Sequence, residues 1–160
     1  MVVINKIYIT STLLLLFAII LNILPLPNII DSCRPPILLL VLIYCSLAYP
    51  DNINLTYAFI SGLILDILLI MPLGYNALCF TVTIYLIMLY YPQIRLQSNW
   101  NKMFSLLLIL IPYFLSSTFI NSILKIDYSI VDVIISIVLS VIIWPSLFNM
   151  LRFIRQKYTQ

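Results

Sequence analysis

Long apolar runs dominate the chain, and proline or short polar clusters break them at intervals suited to membrane-crossing helices. A spanning helix needs roughly 20 mostly apolar residues, with about 17–25 as the usual range. The pattern predicts six such segments, at 7–24, 36–49, 55–71, 75–91, 103–124 and 130–150. Pro25, Pro27, Pro35, Pro50, Pro72 and Pro92 fall at their junctions, where a missing N–H and a clash with the preceding turn favour a stop. The second segment is short. Its positions reach roughly 21 Å, against a hydrocarbon core of roughly 30 Å. It must continue past Pro50, sit in thinned bilayer or be covered by its neighbours. The expected fold is an all-α bundle, a single multi-pass membrane domain over residues 1–160.

Composition sharpens this picture. Hydrophobic residues make up 64% and charged residues 8%, with a mean hydropathy of +1.16. Soluble domains carry roughly 25% charge, so this chain lacks the polar residues to cover a water-facing surface. It is equally unlike a disordered chain, which is poor in apolar residues. There is no His and no Glu, only five Asp. The usual general base, most triads and most zinc sites are therefore missing, and no enzyme activity, cofactor or metal is expected. Cys33, Cys45 and Cys79 form no C-x-x-C pair and read as small apolar residues.

Lys and Arg set the orientation. With the N-terminus inside, six of the eight fall on the inner side (Lys6, Arg95, Lys102, Arg152, Arg155, Lys157) and two outside (Arg34, Lys125). Both termini are then cytoplasmic. The first segment resembles a signal peptide, but Pro25-Leu26-Pro27 replaces a small-residue cleavage site, so a retained anchor is expected. The basic residues are few and lie near the membrane ends, which gives no sign of nucleic-acid binding.

Polar residues inside apolar segments are the candidates for function, because lipid penalises them. Asp66 lies within the third segment, on one helix face with Ala58 and Gly62 at a spacing of four. Small residues allow close helix approach and the carboxyl can hydrogen-bond across. The face reads as helix packing or partner docking, with an ion or proton site as the sharper alternative. Asp132, Ser136 and Ser140 repeat the spacing in the sixth segment, and Ser117, Asn121 and Lys125 in the fifth. Arg34-Pro35-Pro36 places a charge at a rigid helix start, with Asp31 nearby, and Pro72-Leu73-Gly74 reads as a tight hairpin. The end of the chain is a basic amphipathic continuation, in which Arg152, Arg155 and Lys157 are candidates for inner-leaflet or cytoplasmic contact.

The ordered set of features resembles a family. Leu24-Pro25-Leu26-Pro27 leads to Arg34-Pro35-Pro36 and a Leu-rich helix closing in Leu47-Ala48-Tyr49-Pro50. There follow Tyr57 to Asp66, Pro72-Leu73-Gly74, Trp144-Pro145, and Arg152-Phe153-Ile154-Arg155. This order, over nearly the whole chain, is similar to the MreD family of bacterial rod shape-determining proteins in its Gram-negative form. The resemblance implies a non-enzymatic component of the cell-elongation (rod) complex in the bacterial inner membrane. It also implies association with MreC, and through it with MreB filaments, RodA and a class B penicillin-binding transpeptidase. The implied fold is similar to the six-helix substrate-binding subunits of energy-coupling-factor transporters. A small-solute-binding subunit of that transporter type is the alternative function.

Overall fold

The computed structural model describes residues 2–23, 34–49, 54–95, 99–125 and 129–159. Asp31, Cys33, Pro25, Pro27 and Pro50 lie outside the described residues, as does the Lys157 side chain. Among the described residues all regular structure is helical. The elements are α1 (Val2–Ile23), α2 (Ile37–Ala48), α3 (Leu55–Leu68), α4 (Tyr75–Arg95), α5 (Asn99–Leu124) and α6 (Ile130–Thr159). Several boundaries depart from the hydropathy segments, α1 beginning at Val2 rather than 7 and α5 at Asn99 rather than 103. Helix α3 ends at Leu68 rather than 71, α4 runs past Pro92 to Arg95, and α6 continues through the basic segment to Thr159.

The short second helix is the centre of the bundle. Every residue from Leu38 to Ser46 is buried, and α1, α4 and α6 all pack on α2. A helix that is apolar all round belongs inside a protein. Burial by neighbours is how so short a segment is accommodated here, since its own length need not match any surrounding layer. Pro35 and Pro36 start it without wasted donors: the Leu40 N–H bonds the Pro36 carbonyl at 3.0 Å.

The outer helices have an inverted polarity. On α6, Ser136, Ser140, Trp144 and Leu151 are buried, whereas Val131, Ile134, Val138, Ile142, Met150 and Phe153 are exposed. On α3, Ala58, Ser61, Gly62, Leu65 and Asp66 are buried, and Phe59, Ile60, Ile64 and Ile67 face outward. On α5, Ser117 is inside while Leu108, Ile111, Leu115, Phe119 and Ile123 are outside. In water this arrangement would expose far more contiguous apolar surface than a soluble monomer tolerates. It suits a hydrocarbon surrounding, where the polar groups are the ones that need cover. Among the described residues Val131–Gln156 is long and apolar enough to cross a membrane. The other apolar stretches, such as Tyr75–Tyr90 and Leu108–Ile123, are shorter.

Helix α3 stops through its backbone. The Met71 N–H bonds the Asp66 carbonyl at 2.9 Å and the Ile70 N–H bonds the Ile67 carbonyl at 3.4 Å. This is a Schellman pattern, and it puts Ile70 in the left-handed region with φ 54°. Glycine usually fills that position, because a Cβ crowds the next carbonyl there. Ile70 is also 93% exposed and packs on little. Replacing Ile70 with Gly should stabilise the fold by about 1 kcal/mol. Thermal unfolding in detergent, followed by circular dichroism, should show a raised midpoint. A lowered midpoint would mean that the Ile70 side chain contributes more than its backbone strain costs.

Candidate functional site

The polar side chains collect at the ends of helices, where backbone groups lack partners. Asp66 lies in the last turn of α3, nearer the helix end than the apolar run suggests, and is completely buried. Its carboxylate reaches across the hairpin to the start of α4. Oδ1 accepts from the Asn76 N–H at 2.9 Å and from the Asn76 side-chain Nδ2 at 2.8 Å. Oδ2 accepts from the Gly74 N–H at 3.0 Å and, more weakly, from the Ala77 N–H at 3.5 Å. All four contacts are donors, as a carboxylate requires. Three are orphan backbone amides at a helix N-terminus, where the macrodipole also favours negative charge. A capping residue normally precedes its own helix; here the neighbouring helix supplies it.

The turn between them is built to allow this. The Tyr75 N–H closes on the Pro72 carbonyl at 3.1 Å, and Gly74 has φ +97°, the conformation a type II turn reserves for glycine at its third position. A Cβ at Gly74 would meet nothing within 4 Å, so its requirement is conformational. Gly62 is the opposite case. A Cβ there would lie 2.4 Å from Ala77 Cα and 2.6 Å from Ala77 N. Those are backbone atoms and cannot step aside. Ala58, Gly62 and Asp66 therefore form one seam against α4, and α3 and α4 are the most extensively paired helices.

A second junction mirrors the first in charge. The Arg34 guanidinium donates to the Asn22 carbonyl in the last turn of α1, so a cation meets the negative end of a helix. The Arg34 carbonyl accepts from Ser136 Oγ of α6 at 3.0 Å. Ser140 Oγ donates back to the Ser136 carbonyl at 2.7 Å. Asn22, also buried, donates to the Ala18 carbonyl at 3.5 Å. Asp132 is half-buried in the first turn of α6, again the favourable end for an acid. Pro35 is buried beside Arg34, and Pro72 is exposed at the hairpin tip. In the fifth-segment row, Ser117 is buried and Tyr75 of α4 faces Ser117 and Asn121. Lys125 is exposed just past the end of α5.

The structure thus joins Asp66 to Gly74, and Arg34 to Ser136, pairs that the sequence presented as separate features. It spends the Ala58 and Ser136 faces on contacts within the chain. Arg152 and Arg155 lie at the far end of α6 and take no part in these junctions. Asn22 and Asn76 were not singled out from the sequence. The signal for Asn76 was present, a side-chain amide in the first turn after Pro-Leu-Gly. Among the described residues no group of three or more His, Cys, Asp or Glu could hold a metal ion.

Substitutions should separate these causes in thermal unfolding measurements. Gly62→Ala should cost about 2–3 kcal/mol, because two backbones must part. Gly74→Ala should cost only about 1 kcal/mol, for its φ alone. Asp66→Asn should cost about 2 kcal/mol by turning a donor toward N–H groups. A Gly74 variant less stable than the Gly62 variant would contradict the packing described.

Comparison with known proteins gives one family. The model of that family, described as rod shape-determining protein MreD, matches residues 4–154. The chain is 28% identical over 149 residues to the rod shape-determining protein MreD of Haemophilus influenzae, covering 88% of this chain and 86% of that protein. No solved structure matches. A match over nearly the full length, on a bundle with its polar groups inside and its apolar faces outside, places the chain in the membrane-associated MreD family of rod shape-determining proteins.

Proposed function

We propose that this chain is a non-enzymatic, multi-pass component of the bacterial inner membrane that helps to hold the rod complex together. In this reading it binds MreC through helices in the bilayer. It thereby couples RodA and a class B penicillin-binding transpeptidase to cytoplasmic MreB. Both termini are cytoplasmic, so the Asp66 and Arg34 junctions lie at the outer end of the bundle and Arg152 and Arg155 at the inner end. The family match supports the role in rod shape. The observation that carries the rest is the inverted polarity of α3, α5 and α6. Nearly all described residues belong to helices with apolar outward faces, so partners must be met mainly within the membrane.

The Ala58/Gly62/Asp66 and Asp132/Ser136/Ser140 faces are largely filled by the chain itself. A partner helix is therefore expected on the exposed apolar faces instead. The likeness to energy-coupling-factor substrate-binding subunits belongs to this proposal as a likeness of architecture.

Gentle affinity purification of the tagged protein from its native membrane, with mass spectrometry of what accompanies it, tests the reading. Recovery of MreC with RodA or the transpeptidase is the expected result. Recovery of cytoplasmic ATPase subunits with a bound small molecule would overturn it in favour of a transporter subunit.

A further inference from the structure

The end of α6 remote from the two junctions carries a second group of polar side chains. Trp144, Phe148, Leu151, Arg152 and Arg155 recur at helical spacing and share one side of α6. Tyr44 of α2 packs on that side. Its ring meets Phe148 edge-on, with centroids 5.3 Å apart and planes at 80°, and Trp144 lies 5.7 Å from Phe148. Tyr44 is only 3% exposed, and its hydroxyl is buried without a hydrogen-bond partner among the described residues. A buried phenol normally finds one.

Beside Cys45 and Tyr49 of its own helix end, the charged groups near Tyr44 are cations. The charges of Arg155 and Arg152 are close enough to act on the Tyr44 phenol, and guanidinium groups have no acceptor. The acidic side chains among the described residues, Asp66 and Asp132, sit at the opposite end of the bundle. Among the described residues the cluster therefore holds two cations and a hydroxyl but no anion. Gln156 and Asn149 border Arg152 on the exposed side of α6, and Phe153, 67% exposed, and Met150, 51% exposed, lie beyond them. A ligand that is anionic at one end and hydrocarbon at the other fits both halves.

We propose that Tyr44, Arg152 and Arg155 form a binding site for the phosphate headgroup of an anionic phospholipid of the surrounding leaflet. The half-buried Arg155 side chain is long and flexible enough to swing aside and let the phosphate accept from the phenol. Two guanidinium groups and a hydroxyl give the phosphate oxygens charge-assisted hydrogen bonds, stronger than the diffuse attraction of a basic tail to a charged surface. The inference rests on the proposed membrane reading, with this end of the bundle at the inner leaflet.

The test uses the full chain in phosphatidylcholine vesicles doped with spin-labelled phosphatidylglycerol or spin-labelled phosphatidylcholine. Electron spin resonance measures the motionally restricted fraction of each. Wild type should prefer phosphatidylglycerol by about tenfold. Tyr44→Phe keeps the ring packing and removes only the hydroxyl, and should lower the preference by about threefold. Arg152→Gln with Arg155→Gln should abolish it. Equal restriction of both lipids by wild type would overturn the site. So would a preference that Tyr44→Phe leaves untouched, which would mark a diffuse charge effect. Displacement of the lipid by excess inorganic phosphate at fixed ionic strength would reassign the site to a soluble anion and overturn the lipid proposal. Extraction of the protein from vesicles by alkaline carbonate would overturn the membrane reading as well. Retention without selectivity would overturn this inference alone.

Discussion

One buried carboxylate sets the geometry of the hairpin between α3 and α4. Asp66 accepts from Gly74, Asn76 and Ala77 across the turn, so the end of α3 caps the beginning of α4. A capping contact of this kind matters more in an apolar surrounding than in water, because nothing else nearby can satisfy the amides. It also fixes the register of the two helices, and with it the height at which Gly62 meets Ala77. A slip of one residue would leave four donors and a carboxylate unpaired and put a side chain where only glycine fits.

The rest of the architecture follows from the same economy of polar groups. The second junction, Arg34 on the end of α1 and Ser136 of α6, uses the opposite charge on the opposite helix pole. Between the two junctions, α2 is buried on every side, so a helix too short to match a bilayer serves as the core around which longer helices stand. The apolar side chains that a soluble protein would hide are left on the outside of α3, α5 and α6. The inward polar groups at the two junctions are occupied in holding the fold.

Much of this was legible in the sequence, and the exceptions have physical causes. The number and order of helices followed from apolar run length, and the turn at Gly74 from Pro-Leu-Gly, because both depend on local chemistry. The end of α3 is not legible in the sequence. The apolar run continues to Met71, while the helix stops at a left-handed isoleucine that carries none of the usual glycine signal. Pro92 read as a stop, but it lies close enough to the end of α4 for the helix to run on to Arg95. The face Ala58, Gly62, Asp66 was visible at its spacing of four, but not what fills it, because the partner is the start of the next helix. Tyr44 carried no signal at all: one tyrosine among eleven stands out only when packing buries its hydroxyl with no hydrogen-bond partner among the described residues. Charge and spacing along a single helix can be read from one chain, whereas contacts between helices need the fold.

The central claim is that the Asp66 carboxylate secures the first turn of α4. Hydrogen exchange of the wild-type protein and an Asp66→Leu variant, in the same detergent and read by mass spectrometry of the segment covering residues 72–80, tests it most directly. The account predicts that exchange at Gly74, Asn76 and Ala77 speeds up by about tenfold or more in the variant, while α2 stays protected. Unchanged protection of that first turn would contradict it, and would mean that the hairpin is held by packing at Gly62 without the carboxylate.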